Sequence, residues 1–195
     1  MTEAAYIGEV IESTTTQFVA EARRLHESPP FGSFVRVESE PAVHGVVFNV
    51  STHSIEPNRR PAAYGKSEEE LRLEQPQIFE LLKTEFHALI VGYRDGGGFR
   101  QILPPQPPRI HSFVYGCDAQ EVAAFTSDLG YLRSVLGFAK MAPDELLIAV
   151  ARCALQALED DEVRQAHLVQ MGKELSRLIR EDYDRLTSLV RRIAQ

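Results

Sequence analysis

The hydrophobic pattern of the chain changes period once, near residue 118, and that change constrains the fold more than any other feature. Between Tyr6 and Tyr115 apolar residues arrive in short runs, many of them β-branched or aromatic, broken by Gly, Pro and Asn. Such residues pack well on a pleated surface, so these runs read as strands. After Asp118 there is little Gly or Pro, and apolar positions recur at helical spacing. Short strands separated by turn signals build a small barrel or sandwich. Helices then follow, and the fold class is α+β.

The strands read as Ile7–Ser13, Gln17–Arg24, Ser33–Ser39, Val43–Val50, Phe86–Arg94, Gly98–Leu103 and Ser112–Tyr115. Thr14-Thr15 turns the first into the second, and Asp95-Gly96-Gly97 turns the fifth into the sixth. Asp118 caps a helix through Phe125, with Glu121 in the capping-box position. Asp128 caps another through Leu136, stopped by Gly137. Pro143-Asp144-Glu145 starts a third, ending near Leu158. The last helix is expected to run from Asp161 to Ile193, about 50 Å at ~1.5 Å per residue. Its apolar stripe is Leu168, Met171, Leu175, Ile179, Tyr183, Leu186, Val190 and Ile193, widened by Leu178 and Leu189. Arg177, Glu181 and Arg185 sit four apart on its flank. The helix over 143–158 is too short to cover that stripe. Leu186, Val190 and Ile193 are therefore expected to meet a partner or a second copy.

Composition excludes several classes. Twenty-one basic against 28 acidic residues give a net charge of −7, which disfavours a general nucleic-acid surface. No apolar run reaches the length of a membrane helix. Two cysteines make no disulfide framework, so a reduced, cytoplasmic protein is expected.

Catalytic signatures are weak. Gly65-Lys66-Ser67 ends like a phosphate-binding loop, but Arg60 occupies the position where that loop needs its first glycine, and Pro57 and Pro61 interrupt any leading strand. A turn before a capped helix is the better reading. Gly96-Gly97-Gly98 precedes no helix and reads as a hairpin turn. His26, His44, His53, His87 and His111 have no metal-binding spacing, although a site built across strands at His44 and His53 stays open. Cys117 and Cys153 read as small buried hydrophobes, and the acidic runs at 68–70 and 159–162 as solvated helix starts. No cofactor or metal is expected.

The long excursion between the fourth and fifth strands, 51–85, is the strongest candidate for contact. Connections beyond about 12–15 residues usually carry function or structure of their own. Asn58, Arg59, Arg60 and Tyr64 lie there between rigid prolines, and Arg and Tyr are favoured interface anchors.

The barrel half also resembles a known family. Ile7-Gly8-Glu9-Val10-Ile11-Glu12-Ser13-Thr14-Thr15-Thr16-Gln17-Phe18-Val19 resembles the opening of the HAS barrel, the domain shared by HerA-type ATPases and ATP synthase. Phe31-Gly32-Ser33-Phe34-Val35-Arg36-Val37 and His44-Gly45-Val46-Val47-Phe48 resemble its next two strands. Val91-Gly92-Tyr93-Arg94-Asp95-Gly96-Gly97, followed by Pro104-Pro105-Gln106-Pro107-Pro108, resembles its closing part. The resemblance covers about the first 117 residues and implies a small antiparallel β-barrel over 1–117, while the helical spacing after Asp118 makes 118–195 a helical bundle. In the family the barrel is an accessory to a RecA-like motor, which it helps assemble and to which it docks other proteins. This chain has no phosphate-binding loop after Tyr115, and its helical remainder is too short for such a motor. The expectation is a non-enzymatic adaptor, detached from its motor, that binds proteins such as a HerA-type or ATP-synthase-like ATPase, or itself. The alternative is a nucleic-acid-associated DNA-processing factor, since small barrels present stacking aromatics.

Overall fold

The computed structural model describes residues 5–195. Its strands are β1 (Gly8–Ser13), β2 (Gln17–Ala22), β3 (Phe34–Val37), β4 (Ala42–Ser54), β5 (Leu82–Asp95), β6 (Gly98–Arg100) and β7 (Phe113–Gly116). All pair antiparallel, in the order β2-β1-β7-β3-β4-β5, and β2 pairs again with β5. That second pairing closes a six-stranded barrel. β6 stands outside the ring, as a short hairpin arm on β5.

Alternation along the strands explains why they read as nearly continuous apolar runs. Val35, Val43, Val47, Phe86, Ala88 and Ile90 point inward with Val10, Phe18 and Val114 to form the barrel core. Their neighbours Phe34, Val46, Leu89 and Val91 point outward and are buried under the helices. Both faces of these strands are thus covered, which needs apolar residues at successive positions.

The helices are α1 (Glu68–Glu74), α2 (Gln77–Glu80), α3 (Ala119–Thr126), α4 (Tyr131–Leu136), α5 (Pro143–Gln156), α6 (Asp161–Leu178) and α7 (Tyr183–Ile193). α5 is central to the second core, burying Leu146, Leu147, Val150, Ala151 and Ala154. Gly32 lets the barrel approach it: its φ is +82°, and a Cβ there would lie 2.4 Å from the Ala149 Cβ. No helix among the described residues is long and apolar enough to cross a membrane.

The expected single helix from Asp161 to Ile193 is two helices. The chain leaves helical geometry at Ile179, and the Asp182 side chain restarts it by accepting a hydrogen bond from the Arg185 N–H at 2.9 Å. α7 then folds back on α5. Arg185 binds Asp144 in a bidentate pair, with Nε 3.0 and 3.1 Å from the two carboxylate oxygens, and Arg192 binds Glu145 at 2.8 Å. Arg185 thus does not join the expected ladder with Arg177 and Glu181. The break also displaces Tyr183 from the stripe, leaving it 78% exposed.

Candidate functional site

A partly buried polar cluster joins the two halves of the molecule. His44 on β4 is 1% exposed, with its ring stacked on Phe125 of α3 at 5.4 Å and edge-on to Phe99 at 5.1 Å. Its Nε2 lies 2.9 Å from Glu121 Oε1, and Arg36 Nε of β3 lies 3.1 Å from that same oxygen. The Glu121 carboxylate therefore ties α3 to two barrel strands. It does not complete the capping box expected of it; Asp118 caps α3 alone, accepting from the Glu121 N–H at 2.8 Å. Burial pushes the Glu121 carboxyl up, but the His44 hydrogen bond and the Arg36 charge outweigh it, so the group stays below its ordinary value.

His44, Cys117 and Glu121 hold ligand-type atoms within 4.8 Å of one another, the one such set among the described residues. The chemistry of the set does not fit a metal. Arg36 already neutralises Glu121 and places positive charge where a cation would sit. Metal-bound histidines are held through their second ring nitrogen, and His44 Nδ1 is buried without a partner. Burial, and then the Glu121 carboxylate, push the Cys117 thiol up, keeping it protonated and a poor nucleophile. The cluster is a structural clamp. The other barrel histidines are dispersed: His53 pairs with Glu85, His87 packs on Phe48, His111 pairs with Glu9 and His26 sits in a turn at φ 66°.

Gln101 forms a second clamp that local sequence patterns do not reveal. Its Nε2 donates to the Phe125 carbonyl at 2.7 Å and the Asp128 carbonyl at 2.9 Å, while its Oε1 accepts from the Tyr131 N–H at 2.7 Å. One amide thus satisfies the end of α3 and the start of α4. Asp128 does not itself cap α4; it accepts from Gly130 in the preceding turn at 3.0 Å.

The excursion is shorter than 51–85, because β4 and β5 extend their ladder to Ser54 and Leu82. Gly65 turns at φ +67°, and Ser67 and Glu70 form a reciprocal capping box at the start of α1. Gly65-Lys66-Ser67 is thus a turn into a capped helix. Neither α1 nor α2 has a fully buried residue. Together they roof a groove of about 280 Å³ walled by Leu71, Ile78, Phe79 and Leu81, with Arg59, Arg60 and Tyr64 among its lining residues. The structure therefore brings three of the sequence candidates to one place. Asn58 is exposed in the same loop but does not line the groove. Arg59 pairs with Glu56 at 3.6 Å, and Arg60 has no ion pair among the described residues.

The C-terminal candidates lie elsewhere, within the chain's own helical core. Ile193 is 4% exposed, Leu186 packs against that core, and Val190 faces Gly172 of α6. The break at 179–182 is the reason: it swings α7 onto α5, which an unbroken helix would leave short.

The model of the HAS barrel domain matches residues 7–96, the interval that runs from β1 to the hairpin after β5. The chain carries a HAS barrel. The strand that completes the HAS barrel, β7, lies beyond the matched interval and pairs with both β1 and β3. The groove sits on an excursion inside the matched interval, between two strands of the HAS barrel. A search of curated proteins finds no match to the chain.

Proposed function

We propose that this chain is a non-catalytic accessory protein that uses its HAS barrel as a platform and the 55–81 excursion as a docking surface for another protein. A HerA-type or ATP-synthase-like motor is the class of partner that the barrel family suggests. The groove carries the reading. Its helices contribute apolar walls yet bury no residue fully, and two arginines and a tyrosine line it. A segment held out from the core in this way gains little folding stability from its apolar residues, whereas a partner would bury them.

The test is a chain with Arg59, Arg60 and Tyr64 replaced by alanine. All three are exposed, so the melting temperature and circular dichroism should stay close to those of the wild type. Quantitative affinity capture should show the loss of a specific protein that the wild-type chain retains. Unchanged capture by a loosened fold would make the excursion structural and end the docking reading.

A further inference from the structure

The barrel is closed, but one stretch of strand edge remains open beside the groove. On its outer side β4 pairs with β3 from Val43 to Val46, and the last bonds there run between Val47 and the Gly32–Ser33 backbone at 2.8 and 3.0 Å. The register then shifts between Val47 and Asn49. From Asn49 to Ser54, β4 pairs with β5 alone, and no other strand among the described residues joins it. The free stretch is six residues long, about 20 Å at ~3.3 Å per residue. Asn49, Val50 and Thr52 are exposed.

Natural edges are blunted by charges, prolines or bulges within them. Asn49-Val50-Ser51-Thr52-His53-Ser54 contains no Lys, Arg, Asp, Glu or Pro, and its register with β5 is regular throughout. Its final residue, Ser54, lines the groove. The edge and the groove therefore form one continuous surface. The edge offers backbone donors and acceptors to an extended chain, and the groove offers apolar walls with an unpaired guanidinium, Arg60, in its lining.

We infer that the outer edge of β4, from Asn49 to Ser54, binds an extended segment of a partner protein as an added strand, with an apolar side chain entering the groove and an acidic group meeting Arg60. This rests on the docking reading and names its mode. Backbone pairing supplies affinity with little demand on sequence, while the groove and Arg60 select for apolar and acidic residues. A helix would satisfy none of the edge's backbone groups, since it bonds its own.

The test selects peptides from a random displayed library on the full chain and measures the enriched peptides by fluorescence anisotropy. Enriched peptides should alternate apolar residues and carry an acid. Methylating alternate backbone nitrogens of such a peptide removes ladder donors and should weaken it about tenfold or more. Arg60→Glu should weaken the unmethylated peptide by about tenfold or more, as loss of a charged hydrogen bond does. Bound peptide should slow hydrogen exchange along Asn49–Ser54. Methylation-insensitive binding, enrichment of helical peptides or no enrichment would each overturn strand addition. So would a concentration-dependent doubling of mass with the same residues protected, because the edge would then serve a second copy. If strand addition fails while the Arg59, Arg60 and Tyr64 variant still loses its partner, the docking surface stands and only its mode falls.

Discussion

His44 Nε2 and Glu121 Oε1, 2.9 Å apart, join the fourth strand of the barrel to the first helix of the C-terminal part across a seam of Phe34, Phe99, Phe125 and Tyr131. The contact brings a charged group into an apolar boundary, where Arg36 and His44 offset the cost of burying it. Glu121→Gln should therefore destabilise the chain by about 1–3 kcal/mol in urea unfolding. The carboxyl's folded pKa lies below its unfolded one, so its contribution is present above the ordinary carboxylate value and disappears as the pH falls through the lowered value. The difference between wild type and variant should shrink over that acidic window. A gap that stays constant down to pH ~3, below the ordinary value of about 4.3, would remove Glu121 titration as its source.

Gln101 holds three backbone groups of α3 and α4 with one amide. Gln101→Ala leaves those groups without that partner and should cost about 1–3 kcal/mol. Hydrogen exchange should quicken first at Tyr131, whose N–H loses its acceptor, while the barrel strands keep their protection. Uniform acceleration across the chain would mean that the amide supports global rather than local structure.

The position of α7 reassigns the effect of charge on its apolar face. Leu186→Glu with Val190→Glu places two carboxylates against α5 and α6, so the melting temperature should fall while the mass by light scattering stays that of the wild type. A variant that keeps its melting temperature but runs at half the wild-type mass would show that this face joins two copies.

The legible parts of the fold share one property: their pattern is local. β1, β2 and β7 match the expected spans within two residues at either end, because apolar runs and turns mark them. β4 and β5 run further than their apolar runs, since Ser51, Thr52 and His53 continue the ladder opposite Glu85, Thr84 and Lys83, with polar side-chain contacts such as Thr52 Oγ1 to Thr84 Oγ1 at 2.8 Å. No hydrophobic signal marks that extension, so the free edge stays hidden in the sequence. The helix break at 179–182 has no Gly or Pro to mark it, and the pairs that fasten α7 to α5, Arg185 with Asp144 and Arg192 with Glu145, join residues far apart in sequence. Glu121 looks like half of a capping box because its real partners, Arg36 and His44, are far away in sequence. Arg59, Arg60 and Tyr64 are legible as contact residues by type and loop, but the groove that unites them forms only when α1 and α2 fold over β5.

The most direct test of the docking account places a photoreactive phenylalanine analogue at Tyr64, in the groove, and in a separate chain at Tyr183, on exposed α7. Both positions already hold an aromatic ring, so neither change disturbs the core. Irradiation in cells should join Tyr64, but not Tyr183, to one defined protein, and Arg60→Glu should abolish that product. Identical products from both positions, or none from Tyr64, would contradict the claim that this excursion of the HAS barrel is a protein-docking surface.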